Sequence, residues 1–268
     1  MNVFYTINEA VLAVGLFLLL LAATEAGFHL GRRAKSKVDE KTKSQIPVIQ
    51  GSVLGVLGLL LGFTISMAVS RFETRKQLVL EEANAISTSY LRAALLPEPD
   101  RSYITGRLRD YLDLRVELAR TRKDVSTSHD QIRRLQNDVW TRAVAQAERD
   151  PNPVKTGLLL QSLNQMIDLD AARWMALNNH VPETVVYENA FVALLATTLV
   201  GYSFGVVGGK RHLFSVMLLT VAIAVTLLVI IDLDSARRGL IVVTQQPLVD
   251  LQHVLPKSGS GFSAGLHN

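Results

Sequence analysis

Two places in this chain put ionisable side chains where they could bind or move an ion. Glu25 and His29 stand four residues apart, on one face of any helix that carries them, in a long apolar run. A carboxylate held at mid-membrane is costly, so the first reading of the pair is a proton or cation site. The second reading is interfacial: Arg32 follows within two turns, and Arg33 or lipid headgroups could meet the carboxylate. The other place is Asp232-Leu233-Asp234 at the end of an apolar stretch. Two carboxylates at a helix C-terminus oppose the macrodipole and call for compensation. Arg71 and Arg75 leave the membrane on the same side, so a charge belt of Arg71, Arg75, Asp232 and Asp234 is expected. The functional alternative is an ion vestibule ringed by Asp232 and repeated by symmetry in an oligomer.

Other chemistry has little footing. Cysteine is absent, which excludes disulfides, thiolate metal sites and cysteine nucleophiles. The six His are scattered, with no HExxH, no zinc-ligand cluster and no Gly-Lys-Ser/Thr phosphate loop. Asp168 and Asp170 cannot share a helical face, because two residues turn a helix by about 200°. No nucleophile turn is marked. No enzyme, metal site or cofactor is therefore expected. Asn178-Asn179-His180-Val181-Pro182-Glu183 reads as a capped join between two helices, and Gly208-Gly209 as a tight turn.

The elements that must position these groups are membrane-length. Residues 46–70 form a run without Asp, Glu, Lys or Arg, and within it Gly51, Ser52, Gly55, Gly58, Gly62 and Ser66 fall close to one helical face. Small residues at such spacing let a second backbone approach in lipid, and the same face could instead line a pore. Packing between subunits would let both hold. If Glu25 faces this stripe, its reading as an ion site gains weight.

Three more stretches, about 10–30, 190–207 and 213–231, meet the requirement of roughly 20 largely apolar residues for a span. A chain that is 49% hydrophobic and still 19% charged fits a mixed architecture, part membrane and part aqueous. Residues 1–9 lack Lys and Arg, so the first run is expected to be a retained span. Counting crossings places the loop with Arg32, Arg33, Lys35, Lys37, Lys41 and Lys43 on the same side as the turn with Lys210 and Arg211. Eight basic residues on the short-loop side point to the cytoplasm, and hence to an extracytoplasmic aqueous domain in a bacterial inner membrane.

From Arg71 the pattern becomes amphipathic. Val79, Ala83, Ile86, Tyr90 and Ala94 recur at helical spacing until Leu96-Pro97-Glu98-Pro99 stops the run. A continuous helix from Gly51 to Ala94 would be about 65 Å long, roughly twice the hydrocarbon thickness. Three further stripes follow: Ile104, Leu108, Tyr111, Leu112 and Leu118; Ile132, Leu135, Val139 and Ala143 after caps at Ser126-Thr127-Ser128; and Leu159, Leu163, Met166, Ile167, Trp174 and Leu177. The expected fold is all-α, with four transmembrane helices and an extramembrane helical bundle inserted between the second and third, the second span continuing as a long helix. In residues this is 1–70 for spans one and two, 71–183 for the bundle, 184–236 for spans three and four, and 237–268 for a tail expected to be unpacked. Charges in the bundle nearly balance, are expected on its wet faces, and do not suit nucleic acid. The expected partners are the lipid bilayer, further copies of the chain in a homo-oligomer, and small ions.

Several motifs together resemble the bestrophin-like family of bacterial membrane proteins. They are Gly55-Val56-Leu57-Gly58-Leu59-Leu60-Leu61-Gly62-Phe63 leading to Glu81-Glu82-Ala83-Asn84-Ala85, then Tyr90-Leu91-Arg92, Leu96-Pro97-Glu98-Pro99, Ala176-Leu177-Asn178-Asn179, and Asp232-Leu233-Asp234 before Arg237-Arg238-Gly239. The resemblance implies likeness to bestrophins, oligomeric anion channels with four spans whose second-span helices extend into an aqueous domain. It also implies a cytoplasmic aqueous domain, opposite to the loop-charge count. Two functional readings follow: a homo-oligomeric pore for small ions, or a non-conducting scaffold or sensor whose helical domain binds a protein partner.

Overall fold

A computed structural model describes residues 9–121, 125–150, 153–208, 213–235 and 239–256. Among these there is no strand. Eight helices follow in order: α1 (Glu9–Ala34), α2 (Glu40–Ala93), α3 (Asp100–Thr121), α4 (Val125–Arg149), α5 (Pro153–Asn178), α6 (Glu183–Val207), α7 (Leu213–Asp234) and α8 (Gln246–Val254). Four of them carry enough apolar length to cross a membrane: α1, α2 in its first part, α6 and α7. The side chains of Ser126 and Thr127, the 209–211 turn, Arg237, Arg238 and residues 257–268 lie outside the described residues.

The long second helix is one unbroken element of 54 residues. Its start is set by Asp39, whose carboxylate accepts the Thr42 N–H at 3.2 Å, satisfying one of the orphan donors of the first turn. Its end comes just before Leu96-Pro97. Pro182 begins α6, and Gly208 closes it in the left-handed conformation, φ 73°, with its N–H bonded to the Phe204 carbonyl.

The chain forms two compact units. One comprises Met1–Phe72 and Asn179–Val242; the other comprises Glu73–Asn178 and Val243–Asn268. The first is built around α1 and α6. Gly27 and Gly31 of α1 face Gly201 and Gly205 of α6, each pair four residues apart. A Cβ on Gly27 would stand 2.8 Å from the Thr198 carbonyl carbon, and one on Gly205 would stand 2.9 Å from the Gly31 Cα. Backbones thus touch where side chains are missing, the geometry that favours helix association in lipid. Leu57, Leu61, Thr64 and Ala68 give α2 its buried face, beside Leu20, Ala193, Ala196, Ile223, Leu227 and Ile230.

In the second unit the apolar stripes of α3, α4 and α5 meet around Ile104, Leu108, Leu112, Ile132, Val139, Leu159, Leu163 and Met166, together with Val79, Ala83, Ile86 and Tyr90 of α2. The region of Gln246-Pro247, expected to be an unpacked tail, is instead helix α8. Its Leu248 is 0% exposed in this same core, and Arg109 donates to the carbonyls of Gln252 and Leu255 at 2.7 Å each. Nine residues with one large apolar anchor were too short to register as an amphipathic pattern.

Candidate functional site

Each residue of the small stripe on α2 is exposed. A Cβ added to Gly51, Gly55, Gly58 or Gly62 would meet nothing within 4 Å, and Ser52 and Ser66 are likewise on the outside of the unit. Within the chain, close glycine packing occurs between α1 and α6. Both helices carry Gly-x-x-x-Gly, a signal present in the sequence at 27–31 and 201–205 and missed there.

Glu25 and His29 do meet, with Nε2 3.0 Å from the carboxylate and side chains 47% and 58% exposed, Glu25 first. Gly27 and Gly31 lie two residues out of phase with them, about 200° around the helix. The α1–α6 crossing therefore turns the Glu25–His29 pair away from α6.

At the other end of this unit, Asp232 accepts the backbone N–H groups of Leu240 at 2.8 Å and Ile241 at 2.9 Å. This ties Leu240 and Ile241 back onto the last turn of α7 and gives the carboxylate donors that the helix terminus itself lacks. Asp234, 1% exposed, accepts the Val181 N–H at 2.9 Å and lies 3.3 Å from His180 Nδ1. The join before α6 is thus anchored to the end of α7. Arg71 donates to the Asn179 side chain, and in the other unit Arg75 Nε donates to the Ala176 carbonyl at 3.0 Å. Within the membrane unit, Asn189 donates through Nδ2 to Thr64 Oγ1 at 2.9 Å and to the Val185 carbonyl at 2.7 Å, a polar link between α6 and α2.

The charges of the helical unit do not all solvate its outer faces, as the sequence suggested. Glu82 is 0% exposed and receives the Tyr111 hydroxyl at 2.6 Å, Arg115 Nη2 at 2.9 Å and the Arg173 guanidinium. Arg115 also donates to Asp170 at 2.9 Å, whose second oxygen accepts from Gln136 at 3.1 Å. Arg173 reaches the Gln245 side chain at 2.9 Å. Burial pushes the Glu82 carboxyl up, but Arg115 and Arg173 outweigh it and hold the group down at about 2. Burial with the Glu82 charge beside it raises the Tyr111 hydroxyl, so the phenol stays a donor. The network joins α2, α3, α4, α5 and the residue before α8 with two acids and two guanidiniums, a neutral set in which each buried charge meets an opposite one. The signal was legible: Arg115 falls four residues after Tyr111, Asp170 four after Met166, and Glu82 three after Val79, each on its helix's dry face. Asp168, by contrast, is exposed and bonded to Asn164. Among the described residues no three His, Asp or Glu side chains converge as a metal ion would require.

The sequence model of the Bestrophin-like domain matches residues 17–248, from within α1 to the start of α8. Neither a curated protein nor a solved structure matches this chain.

Proposed function

The chain belongs to the Bestrophin-like family, and from that premise we propose that this multi-pass membrane protein is a homo-oligomeric conduit for small ions, with the 51–66 face of α2 turned toward the assembly axis. The observation that carries the reading is the contrast between two sets of glycines. Gly27 and Gly31 of α1 and Gly201 and Gly205 of α6 are consumed by contact within the chain, whereas Gly51, Gly55, Gly58 and Gly62 meet nothing. A helix that forgoes side chains along one face without using the room inside its own subunit has that room for a neighbouring copy or for water. Glu25 and His29, half-exposed and directed away from α6, are the ionisable pair within a span that such a path could use. Planar-bilayer recordings of the purified protein test this. Conductance altered by Gly58→Leu is expected; silence across ions, pH and voltage would reject conduction.

From the basic loop between α1 and α2 we infer that its side is cytoplasmic and the helical unit extracytoplasmic. Because the chain has no Cys, single substitutions Lys37→Cys and Ser126→Cys report orientation. Labelling of Ser126→Cys from outside is expected, and labelling of Lys37→Cys alone would reverse the assignment.

A second reading rests on exposed apolar residues of the helical unit. Leu91 of α2, Leu95 just beyond its end, and Val154 and Leu158 of α5 are all exposed, and Arg92 ties the two helices there by donating to the Leu158 carbonyl. Such a patch suits a scaffold or sensor that docks a protein. Crosslinking that recovers only this chain would count against it.

A further inference from the structure

The loop between α1 and α2, with the helix ends that flank it, concentrates charge. Residues 32–43 hold six basic side chains and two acidic ones. Both acids are occupied locally: Asp39 caps α2 through Thr42, and Glu40 takes the Lys43 ammonium at 2.7 Å. Some of the cations are occupied too. Arg32 lies over the Phe28 ring, 5.9 Å from its centroid. Lys35 runs along the C-cap of α6, where a Cβ on Gly208 would meet its Cε at 2.7 Å, and there the carbonyl end of the helix favours a positive charge.

Arg33, Lys37 and Lys41 are what remains. All three are exposed, and none has a carboxylate partner among the described residues. Arg33 belongs to the last turn of α1, and Lys41 to the first turn of α2, so the three cations bracket the point where two apolar helices emerge. At that level the adjacent polyanion is the bilayer's own phosphate layer. Exposed guanidinium and ammonium groups held there match phosphodiester oxygens in charge and in donor count.

We propose that Arg33, Lys37 and Lys41 form a binding surface for the phosphodiester headgroups of anionic phospholipids. Lys35 and Arg32 flank it, fixed by α6 and Phe28, and give the loop a shape before lipid arrives. The inference does not rest on conduction, and a non-conducting protein would carry the same surface.

Native mass spectrometry of the full chain, released from nanodiscs of mixed phosphatidylglycerol and phosphatidylcholine, tests it. The expected result is selective retention of phosphatidylglycerol. Each of Arg33→Gln, Lys37→Gln and Lys41→Gln should lower it on the order of fivefold, and the triple variant at least tenfold. Arg33→Lys should keep most of the retention, and a charge-matched control in the helical unit, Arg133→Gln with Arg134→Gln and Lys155→Gln, should keep all of it. Where the triple variant does not fold, the three single variants carry the measurement. Equal retention of the two lipids by the native chain, or undiminished retention by the variants, would overturn the proposal. Displacement of the lipid by millimolar inorganic phosphate would also overturn it, by marking the cluster as a site for soluble anion.

Discussion

Gly201 of α6 lies against Thr24 of α1 so closely that a methyl group on Gly201 would come within 2.8 Å of the Thr24 carbonyl carbon. The same holds in the reverse direction at Gly27, so the crossing is reciprocal and leaves no soft side chain to yield. In a membrane, where apolar burial does not distinguish lipid from protein, this contact is what holds the two helices at one register.

Gly201→Ala and Gly27→Ala should each destabilise the membrane unit by about 1–3 kcal/mol, since the obstacle is backbone. Gly15→Ala, at a position with nothing within 4 Å, should be neutral or slightly stabilising. The heat-resistant fraction on size exclusion in detergent reads the difference. Equal behaviour of the three variants would remove the crossing from the account.

In the helical unit, Glu82→Gln should cost about 3–5 kcal/mol, because Arg115 and Arg173 would stay buried without their shared counter-charge. The pH dependence has a definite sign. The Glu82 carboxyl is depressed from 4.5 to about 2, so its contribution is complete above about pH 4.5 and is lost as pH falls toward 2. Helical content followed through an acid titration should show that loss in the native chain and not in Glu82→Gln.

The segment 243–256 should behave as part of the helical unit. Leu248→Ala, removing a side chain that is 0% exposed, is expected to cost about 2–5 kcal/mol in denaturant unfolding. Truncation after Val242 should be worse, since it also strips Arg109 and Arg173 of the partners that Gln252, Leu255 and Gln245 supply. A tail that can be removed without effect would show wild-type unfolding in both.

Much of this fold was legible in sequence because period and charge speak directly about helices. Long apolar runs marked the four candidate spans, the 3.6-residue stripes marked α3 to α5, and Leu96-Pro97 and Pro182 marked boundaries the structure respects. What pairs with what was not legible. Gly-x-x-x-Gly occurs in α1 and α6 as plainly as the longer stripe occurs in α2, yet spacing does not say which stripe is met within the chain. The buried charges of Glu82, Arg115 and Asp170 looked like wet-face residues until their position within the apolar stripe was weighed. Helix α8 rests on one anchor, Leu248, and on carbonyls capped by Arg109 from far along the chain, neither of which is a local signal.

What lies against Gly58 decides whether the 51–66 face meets a second copy or water. In a chain without native cysteine, Gly58→Cys in the intact membrane can be treated with a membrane-impermeant thiol reagent and, separately, with an oxidant that joins neighbouring thiols. Modification by the reagent or a covalent pair of chains is predicted, reporting water or a second copy at that face. Reaction with a lipid-soluble maleimide alone, with neither of the other two products, would show the face turned to acyl chains and contradict it.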